Sequence, residues 1–366
     1  MKKHIWLTIG IILSTLLLCA GLLIVYLQKT NSLSIEKTIK FCENKGGIVY
    51  VVPSSSSLLS NLIPSNLYPF KKIEYISFEG VRVSKKDIED LYLLYPELER
   101  IYFNSVSQMT DEKVKALIKF KKIERLSLCG NPITDVALMH LSSLTQLTDL
   151  DIKGTSVNGH GFSAFKENSS LIFLTISNTK IDNIGIEIIS RKFPHLKCIG
   201  AGATQINDNG VMHLQELPLE TISLYDTNVS DKGVMNLPKF KLERLGLEQT
   251  QITGECLKSI CSAKKLKKLG LDNTKVDSDS LLYLENMNNL QVLSLRDTKI
   301  NDKAIAYLAK LSLCELFLDN TSISNLSIKQ LSKFKTLKLL SIKGTLITLQ
   351  EARKLRKAIP DCQINY

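Results

Sequence analysis

Five histidines, at positions 4, 140, 160, 195 and 213, and eight cysteines, at 19, 42, 129, 198, 256, 261, 314 and 362, are the residues of this 366-residue chain best equipped to ligate a metal or to act as base and nucleophile. Their spacing argues against both roles. There is no CxxC and no CxxH pair, so neither a zinc site nor a disulfide scaffold is expected. Cys256 and Cys261 stand at i, i+5 of one segment, which is not a helical face pair, and both are expected in the core. No phosphate loop, dinucleotide fingerprint, HExxH or nucleophile elbow occurs. The sequence therefore predicts no metal, no cofactor, no small-molecule substrate and no catalysis.

The residues that do recur belong to a repeat. Its cleanest copy is Leu290 to Ile300, LQVLSLRDTKI, with the form LxxLxLxxTxI. Twelve copies begin at Ile73, Leu98, Ile123, Leu147, Leu171, Leu196, Leu219, Leu242, Leu266, Leu290, Leu313 and Leu337, at intervals of 23 to 25 residues. That period falls inside the range of leucine-rich repeats, in which each unit gives one strand to a parallel sheet and returns over the convex side. Within a copy, alternation along the strand turns the fourth and sixth positions inward and presents the third, fifth and seventh on the concave face. His140 and His213 share one offset three repeats apart, about 14 Å at the spacing of neighbouring strands, too far to share a metal.

The ninth position is Thr in nine of the twelve copies, from Thr155 to Thr345, with Asn131, Val106 and Val81 in the other three. Nine identical hydroxyls with no recurring base make no active site. They are expected to satisfy buried backbone groups where the chain leaves the strand. About two residues later every copy has Ser, Thr, Asn or Asp, the helix-capping types. Apolar residues then recur at three-residue steps, as in Leu138, Leu141 and Leu144, predicting short convex helices. An extra residue around Ser107-Gln108 predicts a bulge.

The ends differ from the array. Ile5 to Leu27 is an apolar run following Met1-Lys2-Lys3-His4, long enough to cross a bilayer as a retained signal anchor. The lysines in front of it place the N-terminus in the cytoplasm and the rest outside, at the cell (inner) membrane. The expected organisation is a cytoplasmic N-terminus (1–4), a transmembrane segment (5–27), a spacer (28–38), an N-terminal cap (39–72), twelve repeats (73–358) and a truncated final strand (359–366). Within the cap, a helix over Ile39 to Lys45, the Gly46-Gly47 break and a strand over Ile48 to Val52 are predicted, then a loop through Pro53, Pro64 and Pro69. A closing helix runs from Leu349 to Ala358, where Glu351 is placed to form a capping box.

The T-x-I/V-[ST/N/D] repeats, the GGIVYVV strand and the closing Ile359-Pro360-Asp361-Cys362-Gln363-Ile364 together resemble the leucine-rich repeat proteins abundant in planctomycetes and related bacteria. The likeness covers residues 39 to 366. It implies a right-handed, ribonuclease-inhibitor-like solenoid of class α/β used for protein interaction, and supplies no catalytic residues.

A formal charge of +11, from 47 Lys and Arg against 36 Asp and Glu, is scattered in sequence and does not predict nucleic-acid binding. Specificity is expected in the variable concave columns instead. The fifth position is small in nine of twelve copies, a floor that a partner can approach closely. Asp226, Glu248, Asp272, Asp297 and Asp319 make an acidic C-terminal rim with Arg296 among them, while Arg125 and Arg244 lie toward the opposite rim and Tyr102, Tyr225 and Phe317 supply aromatic anchors. The expected ligand is a protein or peptide carrying basic and aromatic groups. The alternative is a structural or adhesive protein that binds glycan or envelope polymer through the same face.

Overall fold

A computed structural model describes residues 29–53, 71–106, 109–167, 169–237 and 241–366. Among the described residues fourteen strands form one sheet in chain order. The first, β1 (Ile48–Pro53), pairs antiparallel with β2 (Lys71–Glu79). Every later pairing is parallel, starting with β2 to β3 (Arg100–Asn104) and closing with Leu339–Ser341 against Gln363–Asn365. That last strand falls within the residues 359–366 where a truncated strand is expected, and it pairs with the strand of the twelfth repeat.

Register holds like positions side by side: Arg125 stands opposite Asp149 and Leu126 opposite Leu150. The fourth and sixth positions are buried throughout, Leu293 and Leu295 at 0% exposure among them. One continuous core runs the length of the sheet under the convex elements, as a stacked-repeat architecture requires.

The threonine ladder forms as expected. All nine hydroxyls donate to the carbonyl three residues earlier, from Thr155 to Ile152 O at 2.8 Å through Thr298 to Leu295 O at 2.5 Å. Eleven of the twelve capping residues also accept from a backbone N–H at the start of the convex element, for example Ser84 from Asp87 N and Thr348 from Glu351 N. Thr110 is the exception. Glu351 does not close the expected capping box; it pairs with Lys354 at 2.6 Å. Several convex elements tighten to a 3-10 turn, as at His160–Ala164 and Ser280–Leu284.

Two further ladders lie beyond the sequence expectation. The eighth position lies in the left-handed region in all twelve repeats, from Gly80 at φ 64° to Gly344 at φ 67°, with Asn178, Asp226, Asn273, Asp297 and Asn320 between. Gly, Asn and Asp tolerate that conformation best, which accounts without a ligand for nine of the twelve residues; Ser105, Ala203 and Gln249 adopt it as well. Among the described residues, in eight repeats the residue after the cap binds the cap of the next repeat: Asp231 accepts from Thr253 N at 2.9 Å and Thr253 Oγ1 at 2.7 Å, and Asp208 and Asp302 treat Ser230 and Ser324 in the same way.

At the N-terminal end, residues 29–44 are one helix, so that residues 29–38, read as a spacer, are helical and pack Ile35 and Thr38 into the core. A Lys45–Asp87 ion pair at 2.9 Å fastens this cap to the first repeat. The apolar run at 5–27, the proline-rich loop and the expected bulge at Ser107-Gln108 lie outside the described residues. Among the described residues no helix is long and apolar enough to cross a membrane.

Candidate functional site: the concave face

The concave columns collect six of the eleven predicted residues into two groups at opposite ends of the sheet. Tyr102 and Phe317 stand nine strands apart, about 43 Å along the sheet at the usual strand spacing.

At the N-terminal end Tyr102 continues an aromatic ladder that the sequence columns show only in part. Tyr75 lies 5.6 Å from Tyr102 between ring centroids, and Tyr50 of the cap strand stacks on Tyr75 at 5.4 Å and 13°. Tyr50 enters because β1 sets it opposite Tyr75, a register hidden from sequence by the long segment between the two strands. Burial pushes the Tyr102 phenol up, against the opposing pull of Arg125 and Arg100. Arg100 gives Nη1 to Glu74 at 3.0 Å and keeps a buried Nε with no partner among the described residues. Arg125 is exposed and aligned between Arg100 and Asp149. Burial raises the Asp149 carboxyl above its ordinary value, with Arg125 opposing and Asp151 adding to the rise.

At the C-terminal end Arg296 is the hub. Its Nε donates to Asp319 at 2.8 Å and its Nη1 to Asp272 at 3.2 Å, and its guanidinium lies 4.1 Å from the Phe317 ring centroid, within cation–π range. Asp272 also accepts from Arg296 N, and Asp319 from Ser341 Oγ and Lys343 N. Burial works against the Asp319 charge, yet those bonds hold its carboxyl below the usual range. The acidic rim is thus largely engaged within the protein rather than waiting for a basic ligand. Glu248, which has no cation beside it among the described residues, is pushed up by burial and by Asp272.

The small-residue floor is partly occupied as well. The Glu248 carboxylate rests over two glycines: a methyl group added at Gly270 would meet Oε1 at 1.7 Å, and one at Gly246 would meet Oε2 at 2.9 Å. Tyr225 lies back over Gly202, where an added methyl would fall 2.1 Å from the ring, and its hydroxyl accepts from Asn178 Nδ2 at 3.3 Å. These glycines make room for the chain's own side chains. The signal is legible in principle, as a glycine one repeat away from a large seventh-column residue.

The remaining predicted residues separate. Asp226 and Asp297 belong to the left-handed turn column at φ 51° and 56°, and Asp297 accepts from Asn320 Nδ2 at 2.9 Å. Arg244 is exposed beside Lys268 on the next strand, away from both groups. Among the described residues no group of three His, Cys, Asp or Glu could hold a metal ion. Cys256 is in the core as expected, whereas Cys261 is only half-buried and donates to Lys258 O at 3.1 Å. Burial, with Glu43 assisting, pushes the Cys42 thiol up to about 12, leaving it protonated at neutral pH.

No family model matches the chain, and no curated protein does. Solved structures do. The Rad7 and Elc1 complex of yeast matches with a TM-score of 0.61 at 18% identity, over 96% of this chain and 92% of that chain. An internalin of Listeria monocytogenes gives 0.55 at 18%, over 78% and 89%. The mouse RP105/MD-1 complex gives 0.51 at 14%, over 69% of this chain and 43% of that one. At these identities the likeness shows the fold, that of leucine-rich repeat proteins.

Proposed function

We propose that this chain is a membrane-tethered, non-catalytic binding module that captures a protein or peptide on its concave face. The observation that carries the reading is the division of labour within each repeat. Core, threonine, turn and capping columns recur because they build the solenoid, whereas the third, fifth and seventh columns vary and place two aromatic and charged groups at the ends of one curved sheet. Aromatic and arginine side chains are the usual centres of binding energy in protein interfaces. Two of the structural neighbours were solved as complexes, Rad7 with Elc1 and RP105 with MD-1, which is in keeping with this use of the fold.

The tether is the run at 5–27, read as a single-pass signal anchor with the N-terminus cytoplasmic and the repeats outside. Kinship with the anchored bacterial proteins of planctomycete type belongs to the same reading. Protease added to intact spheroplasts tests the topology: it should cut within residues 39–366, and complete protection would sink the extracytoplasmic placement.

The glycan alternative gains one observation, the continuity of Tyr50, Tyr75 and Tyr102. The first two rings lie face to face, so a sugar would meet their edges and hydroxyls rather than an open aromatic platform, and the protein ligand remains the better fit. Combined Tyr102→Ala and Arg125→Glu should abolish partner capture by the full-length protein while its circular dichroism melt stays cooperative, the loss of the Tyr75 contact and of the cation beside Asp149 lowering the midpoint only in part. Undiminished capture would remove the concave-face reading.

A further inference from the structure

Basic residues occur along the whole chain, and the C-terminal end of the solenoid carries a local excess of them. Residues 313–366, the last two repeats and the closing strand, hold nine Lys and Arg against four Asp and Glu, an excess of five within the chain's net +11. Lys329, Lys333, Arg353 and Arg356 are exposed there, and no ion pair engages any of them among the described residues.

The same end carries the most exposed leucine of the described residues. Leu326 is 82% exposed, Leu346 66% and Leu349 61%. The fold brings them to one edge: Leu346 N donates to Ile323 O at 2.8 Å and bridges Ser324, while Thr348 N donates to Asn325 Oδ1 at 2.9 Å. Leu326 and Leu349 therefore follow directly on neighbouring, hydrogen-bonded residues. Position ten, held by Leu346 in the last repeat, is polar or proline in earlier copies, so this apolar edge is not demanded by the repeat.

Two of the three leucines lead into basic side chains. Leu349, Arg353 and Arg356 stand at i, i+4 and i+7 of the helix Leu349–Ala358, and Leu326 and Lys329 at i, i+3 on the adjacent unit, spacings that share a helical face. Protruding leucines with Lys and Arg immediately behind them are the arrangement that lets a surface dip apolar tips into a bilayer while cations meet the headgroups. Charge complementarity selects the occupant: cations without acidic partners among the described residues, spread along an edge with protruding leucines, match the continuous negative headgroup layer of an anionic bilayer.

We propose that this C-terminal edge docks on an anionic lipid bilayer surface, through Leu326, Leu346 and Leu349 as shallow insertions and Lys329, Arg353 and Arg356 as headgroup contacts. The surface is separate from the concave face, and the proposal stands whether or not that face binds a protein.

The test uses the full-length chain in nanodiscs of zwitterionic lipid. Trp6 is the only tryptophan, so W6F combined with L326W places a single indole reporter at the edge. Added phosphatidylglycerol vesicles with brominated acyl chains should quench the fluorescence of this reporter, and brominated phosphatidylcholine vesicles should not. Adding K329E, R353E and R356E should weaken vesicle binding at least about a hundredfold, since each cation near an anionic surface contributes roughly a factor of five. An unchanged circular dichroism melt shows that the charge-reversed protein is folded. The proposal is overturned if the reporter stays unquenched by anionic vesicles or if both lipids quench it equally. It is overturned too if the reporter is shielded without lipid in a concentration-dependent way, which would assign the edge to a second copy.

Discussion

The side-chain nitrogen of Asn131 donates to the carbonyl of Phe103, one repeat earlier, at 2.6 Å, and to its own Leu128 carbonyl at 2.9 Å. Phe103 stands three residues before Val106, the place whose carbonyl a threonine at 106 would have bonded. A single asparagine therefore serves two turns of the ladder, at the cost of a buried Oδ1 with no partner among the described residues. Asn131→Thr should keep the Leu128 bond, orphan the Phe103 carbonyl and cost about 1–3 kcal/mol. Adding Val106→Thr should recover most of that loss. Urea unfolding of the two single variants and the double variant measures the coupling, and additive effects would break the shared-turn account.

The left-handed column and the Asn131 bridge show where sequence reasoning stops. Strand, core and threonine positions are legible because each depends on a periodicity that one repeat shares with the next. The eighth position is equally periodic, yet its Asp226 and Asp297 read as a charged rim, since residue type alone does not tell a backbone requirement from a ligand contact. The pairing of Glu248 with Gly246 and Gly270, and of Tyr50 with Tyr75, needs the third dimension: the first depends on where a long side chain lies, the second on a register set across an irregular connection.

Glu248 and Gly270 should be energetically coupled. Gly270→Ala puts a methyl group where the carboxylate rests, because an added Cβ would lie 1.7 Å from Oε1. The substitution is expected to destabilise the protein by about 1–3 kcal/mol, in the range for overpacking, and to be nearly neutral in a Glu248→Ala background. Equal losses in both backgrounds would show that the carboxylate does not lie there.

The inter-repeat aspartates predict an acid limb. Burial raises the Asp302 carboxyl, but hydrogen bonds from Ser324 and Ser327 prevail and hold it below its ordinary value. A carboxylate depressed in the folded state contributes stability that is present above its unfolded pKa of about 3.9 and lost as pH falls through the folded value. Asp302→Asn should lower the urea midpoint at pH 6 and flatten its fall between pH 5 and pH 3. A wild-type acid slope retained in full by the variant would remove Asp302 from that limb.

Glu248 should behave in the opposite sense. Burial and Asp272 raise its carboxyl, so the folded protein binds that proton more tightly than the unfolded chain, and the penalty is felt at neutral pH and relieved as pH falls through the raised value. Glu248→Gln is expected to raise the urea midpoint at pH 7, with the gain vanishing at acid pH. A gain that is independent of pH would point to packing rather than charge.

Whether recognition resides on the concave face is tested most directly by photo-crosslinking in the protein's own cells. A photoreactive residue is placed in the full-length protein at Tyr102, Arg244 or Phe317 on the concave side, or at Met139 or Met212 on the convex side. The concave positions should trap one common protein partner and the convex positions should not. A partner trapped from Met139 and Met212 but from none of the concave positions would contradict the account.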